Sequence, residues 1–252
     1  MKTMIKACAR RLGYEIRRRP PPPNPLDSGF DDLDAWERDI VRSVLPYTMT
    51  SPARIVSLIR AVRHLAEQRI PGSLVECGVW RGGSMMAAAR VLQAVGDTTR
   101  DLYLFDTFAG LPPAAAQDVS FYGMPGADVF RPENIARGDH CYAGLAEVQA
   151  NLAQTGYAKE RIHFIQGKVE DTIPATLPEQ IALLRLDTDW YESTRHELAH
   201  LYPQVVSHGI TLIDDYGHWQ GARQATDEFI ARLPHPVFLM RVDYTARLWV
   251  KL

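Results

Sequence analysis

Between Ser73 and Ile213 the chain repeats one pattern: a short apolar run, closed by glycine or an acid, then a segment of helix length. The runs are Leu74–Cys77, Leu102–Phe105, Ile162–Ile165, Ala182–Leu186 and Ile210–Ile213, and polar residues seldom interrupt them. A strand with one wet face alternates apolar and polar side chains, whereas a strand apolar throughout has both faces covered. That is the condition of a parallel sheet layered between helices. Amphipathic segments at Ser84–Val95, Gly144–Ala153, Ser193–Val205 and Gly221–Leu233 supply the helices. Two last runs, Val237–Val242 and Ala246–Val250, lie too close together for a crossover helix and predict an antiparallel hairpin. The expected architecture is three-layer α/β, with about seven mostly parallel strands ending in that hairpin.

Two helices are predicted before the first run, within residues 27–72. Phe30, Leu33, Trp36, Ile40 and Val44 recur at helical spacing. Ser51 then serves as an N-cap with Pro52 at the first helical position, followed by the apolar stripe Ile55, Leu58, Ile59, Val62 and Leu65. These helices either cover the site or mediate a dimer, and a homo-oligomer is expected. Residues 107–142, rich in Pro, Gly and small polar side chains, are long for a loop without function and read as a lid or an acceptor-binding insertion. Residues 27–252 are thus expected to form a single domain.

Residues 1–26 stand apart. The first nineteen carry seven basic side chains against Glu15, a balance of +6, so the remainder must sum to −8 to give the net −2. Pro20 to Pro23 and Pro25 follow as a stiff extended spacer. An acidic body argues against nucleic acid as a partner. The basic arm reads as a solvated terminus, with weak contact to anionic lipid as its alternative. No apolar stretch approaches the roughly eighteen residues a membrane helix needs, and the start lacks the long apolar region of a secretory signal. A cytoplasmic location is expected. Cys8, Cys77 and Cys141 are odd in number and far apart, which favours isolated reduced thiols over a disulfide framework.

Ligands of an open parallel sheet bind outside the carboxyl ends of its strands, and there this chain is acidic. The first run leads through Glu76-Cys77-Gly78-Val79-Trp80-Arg81-Gly82-Gly83-Ser84, a glycine turn into a helix. Trp80 stands where a dinucleotide fold needs its second glycine, which disfavours NAD and FAD. Asp106, closing the second run before Thr107, is placed to accept hydrogen bonds from ribose hydroxyls. After the third run, Gly167 to Thr172 can present an acceptor to an adenine amino group, with Asp171-Thr172 as a helix cap the alternative. Leu186-Asp187-Thr188-Asp189 and Ile213-Asp214-Asp215-Tyr216 close the next two runs. If those strands are neighbours, Asp187 meets Asp214 or Asp215. Carboxylates so placed repel, and a hard divalent cation relieves the repulsion. All-oxygen ligands point to magnesium or a relative rather than zinc.

The glycine-turn segment just described, Asp106-Thr107-Phe108-Ala109-Gly110-Leu111-Pro112, Gly167 to Pro174, Leu186 to Thr194 and Asp214 to Trp219 together resemble the macrocin O-methyltransferase family, whose members methylate sugar hydroxyls on natural products. Thr48-Met49-Thr50-Ser51-Pro52 is similar to the family's segment before the cofactor domain. The resemblance spans roughly residues 45–235 in consistent order. It implies a Rossmann-like class I methyltransferase fold that uses S-adenosylmethionine and magnesium. By that similarity Asp187, Asp214 and Asp215 hold the metal, Asp189 is the general base and Asp106 binds the cofactor ribose. Around Asp106 the expected cofactor contacts are Glu76, Gly78, Gly82 and Ser84 in the first turn, and Thr107 beside it. Gly167, Glu170 and Asp171 after the third run, with Thr48 and Ser51 upstream, complete them. Two departures stand out: Thr188 occupies a place where many members have Gly, and residues 114–142 align with nothing in the family.

The implied function is methyl transfer to a hydroxyl of a sugar on a glycosylated natural product or polysaccharide. A hydroxyl is a poor nucleophile at neutral pH and an aspartate alone is too weak a base for it, so metal coordination and positioning fit the chemistry. A magnesium-dependent catechol or phenol methyltransferase is the nearest rival, since a catechol also offers two adjacent oxygens. A nucleoside-binding scaffold or sensor has no need of the acid cluster, and a phosphoryl-transfer enzyme would want a G-K-[ST] loop that the chain lacks. Trp190 and Tyr191 read as core or as a sugar-stacking wall; His218 and Trp219 can line the acceptor site.

Overall fold

The computed structural model describes residues 30–130 and 141–252. The expectations placed on the basic arm, on the proline spacer and on residues 131–140 lie outside the described residues. Asp34–Leu252 forms one compact unit.

Helix α1 is Ala35–Val44, starting later than its apolar spacing suggested, because Asp34 opens it with a capping box: Glu37 Oε2 accepts from the Asp34 N–H at 3.0 Å. Ser51 caps α2 (Pro52–Glu67), accepting from Arg54 N–H at 3.3 Å, with Pro52 at its first position. Strand β1 (Ser73–Cys77) then leads to α3 (Gly83–Val95), and β2 is Leu102–Asp106. Short α4 (Gly126–Val129), α5 (Leu145–Ala153), β3 (Ile162–Gln166) and short α6 (Val169–Thr172) follow. Next come β4 (Ile181–Leu186), α7 (Tyr191–Leu201), β5 (Val205–Ile213) and α8 (Gln220–Ile230), with β6 (Met240–Arg241) and β7 (Arg247–Val250) last.

The seven strands form one sheet in the order β3-β2-β1-β4-β5-β7-β6. β1 to β5 are parallel, and β7 runs antiparallel between β5 and β6. The expected hairpin therefore exists, with its second strand inserted against β5 and its first at the edge. Two boundaries move. The helix expected to run to Val205 stops at Leu201, because Tyr202-Pro203-Gln204 forms a 3₁₀ turn, and β5 begins at Val205 instead of Ile210. Of Val237–Val242 only Met240 and Arg241 pair.

Side chains alternate across the sheet. Val75, Cys77, Phe105, Leu184, Leu186 and Ile213 join Leu198, Leu201, Tyr202, Phe229 and Trp249 in one core layer under α7 and α8. Leu74, Leu102, Leu104, Leu183 and Leu212 point the other way and are equally buried, on the side of α1, α2 and α3. The central strands β1 and β4 are dry on both faces, as uninterrupted apolar strands require. No helix among the described residues is long and apolar enough to cross a membrane.

Candidate active site

The strand order places a switch point at β1, which pairs with β2 on one side and β4 on the other. Cys77 is in register with Leu186, and Leu186 with Ile213, so the residues just beyond them converge. Asp187, Asp214 and Asp215 offer carboxylate oxygens that all lie within 4.8 Å of one another. They share one cleft with Glu76, Asp106 and Asp189. The neighbouring-strand condition set on the sequence is met.

Glycine geometry builds the first wall. A side chain at Gly78 (φ +79°) would sit 2.0 Å from the Asp187 carbonyl oxygen, so the turn after β1 packs directly on the turn after β4. Trp80 follows in the left-handed region, φ 45°, and lines the cleft with its indole nitrogen buried and unpaired among the described residues. Asp106 binds this turn: its Oδ2 accepts from the N–H groups of Val79 (2.7 Å) and Trp80 (3.2 Å), its Oδ1 from Phe108 (2.7 Å). Thr107 Oγ1 adds a long fourth contact to Oδ1 at 3.5 Å, the weakest of the set and the one a ligand hydroxyl would replace.

Two cations that the sequence reading passed over organise the acids. Arg185, 3% exposed, donates to Glu76 Oε1, to Asp187 Oδ2 at 2.7 Å and to Asp214 Oδ1. Arg54, from the first turn of α2, donates to Asp214 Oδ2 and lies 3.1 Å from Asp243 Oδ2. Burial opposes the charge on Arg185, but Asp187, Asp214 and Glu76 outweigh it and hold the guanidinium protonated. Glu76, Asp187, Asp214 and Asp243 pair with these two guanidiniums, and Asp189 and Asp215 stand beside them in the cleft, a formal excess of four negative charges. Burial, with Asp187 close by, pushes Asp189 up to about 7; burial likewise raises Glu76 to about 7 and Asp214 to about 6. Asp215 lies well above the carboxylate range through burial and Asp189.

Asp189 is held in place from two directions. It adopts φ 66°, and its Oδ1 accepts from Trp219 Nε1 at 2.7 Å. Trp219 and Trp190 are buried against each other, centroids 4.9 Å apart, with Phe130 on both. Of the alternatives left open for Trp190, the core one holds. Tyr191 opens α7, its hydroxyl bonded to Glu228 at 2.9 Å. Thr188, between the two acids, donates at 3.1 Å to Glu197, a fully buried carboxyl on α7 whose pKa burial raises well above the usual range.

Thr48, Ser84, Thr107, Gly167 and Glu170 line the cleft as expected. Glu170 Oε1 is engaged by Ser193 Oγ at 2.7 Å. Ser51, Gly82 and Asp171 do not line it. Ser51 donates to Asp243 at 2.7 Å besides capping α2. Gly82 (φ +86°) gives Leu152 room to pack, since a Cβ there would lie 2.6 Å from it. Asp171 is exposed within α6, neither a cap nor a wall. In the described part of the insertion, Asp118 is the anchor: its carboxylate accepts from Ala115 N–H and Tyr191 N–H, each at 2.8 Å. Trp190 Nε1 donates to Pro112 O at 2.8 Å, and Ser120 bridges to Trp219. This stretch is pinned to α7 and to the start of α8.

A family model, macrocin-O-methyltransferase (TylF), matches residues 30–251. The chain belongs to this family. A rhamnosyl-tetracenomycin-C 4'-O-methyltransferase of Streptomyces olivaceus is 32% identical over 204 residues, 81% of this chain and 75% of the relative. Demethyldecarbamoylnovobiocin O-methyltransferase of Streptomyces niveus is 31% identical over 227 residues, 87% and 84% of the two chains. The solved O-methyltransferase NovP superposes with a TM-score of 0.69 at 29% identity, covering 81% of this chain and 82% of its own. The macrocin O-methyltransferase family member described here is thus an O-methyltransferase with the class I fold.

Proposed function

We propose that this enzyme transfers the methyl group of S-adenosylmethionine to a sugar hydroxyl of a glycosylated small molecule, assisted by a divalent cation. The observation that carries the reading is the convergence of Asp187, Asp214 and Asp215 within 4.8 Å, beside Asp189, in the cleft that also holds the Asp106 turn. The compounds after which these relatives are named, a rhamnosyl-tetracenomycin and demethyldecarbamoylnovobiocin, support a glycosylated acceptor.

The residues fit both groups. Asp215 Oδ2 and Glu76 Oε2 are buried without a hydrogen-bond donor among the described residues, which is costly unless a cationic partner arrives. An all-carboxylate donor set suits magnesium. Asp187, Asp214 and Asp215 would hold the metal, and Arg185 keeps two of them aimed at it. When bound, such a cation lowers the pKa of an acceptor hydroxyl and neutralises developing negative charge. Asp106 would accept from the ribose hydroxyls; Glu76 Oε2 is free to accept from an ammonium group.

Asp189 is the group that takes the acceptor proton. Its raised pKa brings its basicity closer to what a proton transfer near neutral pH needs. The Trp219 N–H, donating to Oδ1, fixes the orientation of the carboxylate. When bound, S-adenosylmethionine would supply the methyl group: the acceptor oxygen would form its bond to that carbon as the carbon–sulfur bond breaks and S-adenosylhomocysteine leaves.

Calorimetric titration with S-adenosylhomocysteine in magnesium buffer tests the cofactor class. Micromolar binding, lost in Asp106→Ala, is expected. Absence of binding by folded protein would remove the methyl-donor reading, and turnover of catechols in preference to rhamnosides would move the acceptor class.

A further inference from the structure

Asp214 has two kinds of claimant. It is one of the three acids whose oxygens lie within 4.8 Å of one another, yet both of its own oxygens accept from guanidiniums, Oδ1 from Arg185 and Oδ2 from Arg54. A divalent cation on this carboxylate would stand against those positive charges at close range, so one guanidinium has to yield.

The two arginines differ in where else they can turn. Arg185, 3% exposed, divides its donors among Glu76 on β1, Asp187 beyond β4 and Asp214 beyond β5, and withdrawing it would leave buried carboxylates unpaired. Arg54, 13% exposed, holds Asp214 through Nη1 while a different nitrogen, Nε, lies 3.1 Å from Asp243 Oδ2. Asp243 is already braced as an acceptor. Its Oδ1 accepts from the N–H groups of Thr245 (2.9 Å) and Ala246 (2.8 Å), and its Oδ2 from Ser51 Oγ (2.7 Å). Burial opposes its charge, but these donors and Arg54 hold its carboxyl below the usual aspartate range.

Local structure gives no reason for a cation at this position. Arg54 lies in the first turn of α2, where the helix dipole disfavours positive charge, and no acid shares that turn. Its side chain is outside the buried stripe of Ile55, Leu58, Ile59, Val62 and Leu65. What stabilises the guanidinium there is a pair of carboxylates, Asp214 inside the acid cluster and Asp243 outside it.

We propose that Arg54 is an exchangeable counter-ion of the acid cluster: a divalent cation takes Asp214 from it, and Arg54 falls back on Asp243. The inference rests on the cation reading above and adds an internal competitor to it. Metal affinity is then set by the Arg54–Asp243 pair as well as by Asp187, Asp214 and Asp215.

The test titrates Mn²⁺ into the full chain with no other ligand and counts the free ion by its electron paramagnetic resonance signal. Arg54→Gln, which removes the competitor, should bind Mn²⁺ roughly tenfold more tightly. Asp243→Asn, which removes the fallback and leaves both guanidiniums on Asp214, should bind it more weakly. The double variant separates exchange from long-range charge: with Arg54 gone, Asp243→Asn should lose most of its effect. Additive effects, or unchanged affinity in Arg54→Gln, would overturn the inference. Should Arg54→Gln fail to fold, Asp243→Asn alone decides, because unchanged or tighter binding there contradicts exchange. Absence of Mn²⁺ binding in wild type and Arg54→Gln alike would instead sink the underlying cation reading.

Discussion

The two ends of the parallel sheet handle charge in opposite ways. At the amino end, Asp97 pairs with Arg100, and Asp101 with Arg161 at 3.3 Å and His163 at 2.9 Å, in side chains that mostly reach water. At the carboxyl end, six carboxyls accompany two guanidiniums, and the Glu76–Arg185–Asp214 group is all but sealed. The first arrangement stabilises the fold slightly and asks for nothing more. In the second, carboxylates have been withdrawn from water in excess of their cations, which costs stability unless a ligand completes the set. The difference separates a structural end from a reactive one without reference to any relative.

The largest effect should come from removing what completes that set. Chelation of divalent ions is expected to abolish methyl transfer, with magnesium restoring it; turnover that persists in chelator would sever the acid cluster from metal. Next, Asp189→Asn keeps an oxygen for the Trp219 N–H but loses the base, so kcat should fall about 10²–10⁴-fold while S-adenosylhomocysteine still binds. Arg185→Met takes the guanidinium partner from Glu76 and Asp187, leaving Asp214 with Arg54 alone, and should cost about 3–5 kcal/mol in denaturant unfolding. The matching change at the other end, Arg161→Met, should cost less than about 1 kcal/mol. Equal losses would erase the distinction between the two ends.

A finer probe lies beneath the catalytic turn. The folded pKa of Glu197 is raised above its ordinary 4.5 by burial, so the native state holds its proton more tightly than the unfolded chain. Its contribution is complete below that value and is lost as pH rises from 4.5 toward the folded pKa. Glu197→Gln, neutral at every pH, should therefore gain in melting temperature relative to wild type on going from about pH 5 to pH 8. A constant offset across that range would mean the carboxyl is ionised in the native protein.

Those contrasts were only partly legible in the amino-acid sequence. Strand positions, the glycine turn and the paired acids are written locally, in apolar runs and the residues that end them, and the sheet order then brings Asp187 to Asp214 and Asp215. Arg185 carried a signal that went unread: a cation inside the otherwise apolar Ile181–Leu186 strand, two residues before an acid, must find its partners across neighbouring strands. Arg54, Glu197 and Asp118 had no such mark, because each acts on residues brought near only by packing. Ser51 and Gly82 show the converse. Their residue types suit a ligand-binding turn, yet capping and close packing account for them.

The close approach of Gly221 to Asp118 has a consequence for anyone exchanging the 107–142 insertion among related enzymes. A Cβ at Gly221 would fall 2.1 Å from Asp118 Oδ1, so the anchor of the insertion and the first turn of α8, more than a hundred positions later, are one steric unit. Chimeras that import the loop with its aspartate into a scaffold bearing a larger residue at the glycine position would unseat it. An exchange of this insertion must therefore carry the two positions together.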